Sequence, residues 1–151
     1  MNITPIIIVW DTMHINSIFK TLYPIALNLT PTFRTRHAAC IVYKNEYISF
    51  GVNSNKTHPF QYKYSKHPSS IYLHAEIDAI KNARYFKELS KSKLYVARIK
   101  WDDKEENIIF GNSKPCLGCA KAIIQFNVKD VIYTEDSYIN NVQFNSLRLW
   151  I

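Results

Sequence analysis

Two of the chain's three cysteines stand three apart in KPCLGCAKAI, residues 114–123, directly behind a proline. A Cys-x-x-Cys pair can be half of a metal site, a redox dithiol, or two small buried residues at an accidental spacing, and the spacing alone does not choose. If Cys116 and Cys119 open a helix, as Pro115 before them and AKAIIQF after them suggest, a three-residue step sets both thiols on one face. A helix N-terminus also favours negative charge and lowers thiol pKa values. The pair therefore suits metal binding or redox work, and zinc needs at least one further ligand.

A further ligand is available in IYLHAEIDAI, residues 71–80. His74 and Glu76 lie two apart near a predicted helix start, so their side chains would diverge by about 200° at roughly 100° per residue. One can bind a metal while the other points beside it. Each also has an ordinary reading: His74 as a hydrogen-bonded or exposed histidine, Glu76 as a first-turn carboxylate favoured by the helix dipole. Joined to Pro115, Cys116 and Cys119, they form His-x-Glu followed by Pro-Cys-x-x-Cys. One imidazole and two thiolates make three protein ligands and leave a tetrahedral zinc one open position, the mark of a catalytic site.

The elements that must carry these groups follow from patterning. Residues 14–29 have helical spacing in Ile15, Ile18, Phe19 and Leu22, with Pro24 expected to kink or end that helix. HAACIVY (37–43) and EYISFGV (46–52), joined by the two-residue turn KN, predict a hairpin. A polar and aromatic stretch, 53–70, leads into a helix over 71–88; KLYVARI (93–99) predicts a strand, AKAIIQF (120–126) a helix and DVIYTE (130–135) another strand. The order implies an α/β sandwich around one sheet.

With 151 residues, 47% of them apolar, the chain can bury one substantial core. No linker, low-complexity run or repeat divides it, so 1–151 is expected to be a single domain. No membrane-length apolar run occurs, PIIIVW is too short for a signal-peptide core, and a cytoplasmic location with no membrane partner is expected. An odd cysteine count makes a disulfide framework a poor fit, and Cys40, inside a strand-like run, reads as a buried small apolar residue. Formal net charge is +7, and the excess is uneven: between Thr12 and Ala75 the only acid is Glu46, against Lys20, Arg34, Arg36, Lys44, Lys56, Lys63 and Lys66. That half suits an anionic partner or is simply a solvated basic face.

HAE at 74–76, PCLGC at 115–119 and the element order from about residue 37 to 135 resemble the zinc-dependent cytidine and deoxycytidylate deaminase superfamily. The resemblance implies a three-layer α/β/α cytidine-deaminase-like sandwich around one mixed, about five-stranded sheet, with zinc as cofactor. It implies that His74, Cys116 and Cys119 hold the metal. Glu76 would be the catalytic proton shuttle, its pKa raised so that it can both take and give a proton near neutral pH. The Ala75 amide would hold the base's carbonyl, Asn53 in FGVNSN would contact sugar or base, and Lys56 and Tyr133 complete the substrate contacts. An asparagine after a strand and a glycine is also ordinary turn chemistry. Pro115 would occupy the first helical turn. Two departures stand out: Lys114 replaces the glutamate that many relatives carry before Pro-Cys, and VQFNSLRLWI is either an antiparallel fifth strand or a short helix.

NKTHPFQYKYSKHPSS interleaves Lys56, Lys63 and Lys66 with Phe60, Tyr62 and Tyr64, the pairing of charge and stacking surface that suits single-stranded nucleic acid. The plainer reading is a surface loop whose aromatics pack on the core, with His58 and His67 as polar loop residues. The expected activity is hydrolytic deamination of a cytosine base in a free nucleoside or nucleotide. The alternatives are a deaminase of single-stranded DNA or RNA, a zinc-stabilised nucleic-acid-binding module, and a thiol–disulfide protein. A homo-oligomer is compatible with all of them.

Overall fold

The computed structural model describes residues 9–29, 36–64 and 72–149; Arg34, Lys66, His67 and Ile71 lie outside them. In chain order the elements are helix α1 (Val9–Leu27), strands β1 (Arg36–Tyr43) and β2 (Glu46–Val52), single-turn helix α2 (Pro59–Tyr62), helix α3 (Ala75–Ala83), strands β3 (Lys93–Trp101) and β4 (Ile108–Gly111), helix α4 (Leu117–Gln125), and strands β5 (Asp130–Thr134) and β6 (Phe144–Arg148). The strands form one sheet in the order β2-β1-β3-β5-β6, with β4 pairing the far end of β3. Only β3 and β5 run parallel. The sheet is therefore mixed, as expected, with one strand more than expected.

Alternation along the strands divides the core into two layers. Ala38, Cys40, Tyr95, Ala97 and Ile132 face Ile15, Ile18, Phe19 and Leu22 of α1, whose spacing gives that helix one apolar stripe. Ala39, Ile41, Leu94, Val96 and Val131 face Ile77 and Ile80 of α3 and Ile123 of α4. Helices thus cover both faces. β1 is buried on both sides, which is why its centre, AACIV, reads as an unbroken apolar run. Cys40 is fully buried there and burial pushes its thiol pKa up, so it is a packing residue as expected.

Three local expectations change. Pro24 lies inside α1, which runs on to Leu27, with the Asn28 N–H reaching the Pro24 carbonyl at 3.0 Å. The bond that proline removes falls at exposed Lys20, where water can replace it, and the buried stripe continues to Ala26. β4 is an additional strand: Asp102 Oδ1 accepts the Glu106 N–H at 2.9 Å to close a turn, and IIFG returns antiparallel to 98–101. The tail takes the strand alternative, with β6 antiparallel to β5 and Arg148 Nε 2.6 Å from Asp130 Oδ1 at its end. The KN turn is as expected, with φ of 47° at Lys44 and 65° at Asn45, both left-handed as a two-residue hairpin turn requires.

Candidate active site

β2 sets the position of α3. A Cβ at Gly51 would fall onto the Ala75 carbonyl oxygen and the Ala79 nitrogen, so the helix backbone can come this close only to glycine. Polar bonds stitch the two elements together: the Val52 N–H donates to Asp78 Oδ2 (3.1 Å), Ser49 Oγ to the Ala79 carbonyl (2.8 Å) and Asn82 Nδ2 to the Phe50 carbonyl (2.9 Å).

The helix predicted over 71–88 is shorter at both ends: Arg84 caps it, and it starts late because the chain before it is held extended. The Ser54 N–H bonds the Leu73 carbonyl (2.9 Å) and the Leu73 N–H bonds the Lys56 carbonyl (3.1 Å). His74 is consequently the N-cap of α3, at φ −90° and ψ 153°, and not a helical residue. Extended backbone, not a helical step, sets its direction relative to Glu76. Its N–H donates to Oε1 of Gln61 on α2 at 3.0 Å, and Gln61 is fully buried.

The thiols come from the other side of the sheet's switch point, where β3 exchanges β5 for β4 as its neighbour. Ser113 and Thr134, both buried, fill that split. Ser113 Oγ donates to the Val96 carbonyl (2.8 Å) and accepts the Thr134 N–H (2.8 Å), while Thr134 Oγ1 donates to the Gly111 carbonyl (2.8 Å). Three residues on, Cys116 caps α4 and Cys119 lies in its first turn. Pro115 precedes the cap, so it does not occupy the first turn as the sequence suggests. Asn127, at φ 61°, turns the chain out of the helix in the left-handed conformation common at helix C-termini.

The two helix starts converge. His74 Nδ1 lies 3.3 Å from Cys119 Sγ and 3.6 Å from Cys116 Sγ, and the three ligand atoms all lie within 4.8 Å of one another. Glu76 is buried beside them at 6% exposure, and burial pushes its carboxyl pKa up, with its own backbone N–H and the His74 charge pulling partly back. A hydrogen bond from Cys119, then one from His74, hold the Cys116 thiol down to about 4 against the opposing effect of burial. The Cys119 thiol is pushed well up by that same Cys116 hydrogen bond, by burial and by Glu76. Two sulfurs and a carboxyl thus compete to be anionic around one imidazole, with Cys119 and Glu76 buried and Cys116 exposed. A divalent cation resolves that competition, and one nitrogen with two sulfurs is a zinc donor set.

The family model for the cytidine and deoxycytidylate deaminase zinc-binding region matches residues 16–135. The chain belongs to this deaminase family. Among solved structures, the fold is similar to dCMP deaminase from the cyanophage S-TIM5 in apo form, at 21% identity and a TM-score of 0.54, covering 80% of this chain and 82% of that one. It is also similar to the same enzyme in complex with dCMP and dUMP, at 20% identity and a TM-score of 0.51, covering 85% and 83%. At these identities the likeness speaks for the fold. No curated protein matches the sequence. Family membership sets aside the readings of this deaminase as a redox dithiol or a non-enzymatic zinc module.

The remaining sequence-derived candidates fall at different depths. Ala75 opens α3, where backbone N–H groups have no partner within the helix. Asn53 Oδ1 accepts the His37 N–H at 2.7 Å, tying the end of β2 to the start of β1. Lys56 is exposed, on the segment paired to Leu73. Tyr133 is buried in the layer under α3 and α4, and burial, then Glu135, raise its phenol pKa. In the aromatic loop Phe60 and Tyr64 pack on the core and Tyr62 is exposed, while His58 accepts the Phe60 N–H through Nδ1 (3.1 Å) as a polar loop residue. No helix among the described residues is long and apolar enough to cross a membrane.

Sequence reasoning missed Gln61 and His37. His37 lies within electrostatic reach of the metal-ligand group: burial, then the charges of Arg98 and His74, hold its imidazole down to about 4. A glutamine in a polar loop and a histidine opening a strand carry no signal of their own.

Proposed function

We propose that the whole chain, as one deaminase domain, hydrolyses the exocyclic amino group of a cytosine base in a free nucleoside or nucleotide, releasing ammonia and leaving uracil. The observation that carries this reading is the buried carboxyl of Glu76 beside the His74, Cys116 and Cys119 donor set. A structural metal has no use for an acid held there.

Zinc held by His74 Nδ1 and the two Sγ atoms would supply the Lewis acidity that makes water nucleophilic near neutral pH. Glu76 handles the protons. Its carboxylate takes one from the attacking water and gives it to the ring nitrogen next to the amino-bearing carbon. It then helps protonate the departing amino group. A carboxyl raised by burial serves both directions better than an ordinary one. The Ala75 N–H holds the base's carbonyl oxygen and its small side chain lets the base lie flat, while Asn53, Lys56 and Tyr133 supply further substrate contacts. The bound dCMP and dUMP of the structurally similar cyanophage enzyme favour a nucleotide.

The test is a paired measurement of metal and turnover. Wild-type protein should hold about one zinc per chain and release ammonia from at least one cytosine monomer. Glu76→Ala should keep zinc and fold and lose turnover by about 10²–10⁴-fold or more. Wild-type turnover in that variant would remove Glu76 from the chemistry, and loss of zinc would make it a ligand.

A further inference from the structure

Arg98 lies on β3 on the same side of the sheet as Leu94 and Val96, the side that carries α3 and α4. Its partner on β1 is His37 and its partner on β4 is Gly111. A Cβ at Gly111 would stand 3.1 Å from Arg98 Cδ and 3.2 Å from Lys100 Cδ, so the missing side chain is what lets both stems cross β4. Arg98 Nε is buried and has no hydrogen-bond acceptor among the described residues.

The neighbouring acid is already engaged. Asp136 Oδ2 takes Lys100 Nζ at 2.9 Å and its Oδ1 takes the Asn112 N–H at 2.9 Å. The guanidinium's field reaches Asp136 on one side and His37 on the other, and His37 in turn feels His74 and Cys116. A charged N–H buried without an acceptor is unfavourable until an oxygen meets it. Of the parts of a cytosine nucleotide, base and sugar are neutral, and the phosphate alone matches a planar cationic fork. Lys114, on the segment leading into Cys116, is exposed. Lys56 is a solvated point charge of the kind water screens.

Building on the deaminase reading above, we infer that Arg98 binds the phosphate of the substrate, so that the protein selects cytosine mononucleotides over free nucleosides. The step requires no covalent change at Arg98; it sets which molecule stays long enough to react.

The experiment compares kcat/KM for dCMP, CMP, deoxycytidine, cytidine and a cytosine-containing oligonucleotide in zinc-loaded wild-type protein and in Arg98→Gln, Arg98→Lys and Lys56→Met. Wild type should prefer a mononucleotide to its nucleoside at least 10-fold, and Arg98→Gln should cut that ratio roughly 10–100-fold, the scale of one charge-assisted hydrogen bond. Arg98→Lys should recover part of it, because charge returns without the fork. A merely structural role would lower both substrates together and leave the ratio intact. Equal wild-type rates on nucleotide and nucleoside would overturn the assignment even if Arg98→Gln failed to fold. So would a ratio that falls in Lys56→Met and holds in Arg98→Gln, or turnover of the oligonucleotide without dCMP. If nothing is deaminated, the reaction assignment fails separately. Equilibrium titration of wild type and Arg98→Gln with dCMP and deoxycytidine then decides the phosphate contact: a dCMP preference lost in the variant supports it, and equal affinities overturn it.

Discussion

α3 and α4 each bring a first turn to the same place, and they are held there by different means. α3 is fixed along its body: Gly51 admits its backbone, and Asp78, Ala79 and Asn82 are bonded to β2. α4 contributes Cys119, Ala120, Ala122 and Ile123 to the core, and its placement depends on its ends, with the Ser113–Thr134 node before it and left-handed Asn127 after it. The half of the site that supplies the imidazole and the carboxyl is therefore sensitive to changes anywhere along a helix, whereas the thiol half is sensitive at its approach.

The largest expected effect breaks the thiol half outright. Cys119→Ala should weaken zinc binding by more than the roughly 10–100-fold that follows loss of an outer-layer partner, read by metal content and competition with a chromogenic chelator. Wild-type affinity in this variant would mean α4 supplies one ligand only. Next comes the α3 clamp. Gly51→Val places carbon against helix backbone and should cost about 3 kcal/mol or more, a fall in melting temperature of roughly 6–12 °C for a chain this size. Gly111→Ala meets only flexible side-chain atoms and should cost under about 1 kcal/mol; equal losses at the two glycines would erase the contrast.

Ser113→Ala leaves the buried Thr134 N–H without its acceptor and should cost about 1–3 kcal/mol in urea unfolding. It should also weaken zinc about 10-fold, because the approach to Cys116 loosens. Unchanged zinc affinity would show that α4 is placed by its packing after all. The smallest effect is expected at Lys121, exposed on the body of α4: Lys121→Ala should stay within about 0.5 kcal/mol of wild type with zinc binding unaltered.

That His74, Cys116 and Cys119 could hold a metal was readable from the chain because residue type and short spacing carry ligand chemistry, and His-x-Glu with Pro-Cys-x-x-Cys needs no tertiary information to be noticed. The hairpin was equally readable, since alternation and a two-residue turn are local. Gln61 was not, because its contact with His74 exists only after residues 54–56 pair with Leu73. The pairing of His37 with Arg98 depends on the β1–β3 register, which no neighbouring residue announces. The pairing of residues 54–56 with Leu73 also holds that residue extended and so delays the start of the helix that 71–88 suggests. In β4, four residues are too few to display a period, and their role comes from Gly111 and the turn before them.

The distance along the chain between the converging groups has a kinetic consequence. His74 and Cys116 are 42 residues apart, and His74 and Cys119 are 45. An unfolded chain can offer a metal the two neighbouring thiols at once. The imidazole joins them only after β1 has met β3 and β3 has met β5, a non-local closure of the kind that slows folding. A zinc-sensitive dye competing during refolding would therefore see two epochs, an early loose association with Cys116 and Cys119 and a late tight capture. The interval between them would time the completion of the sheet.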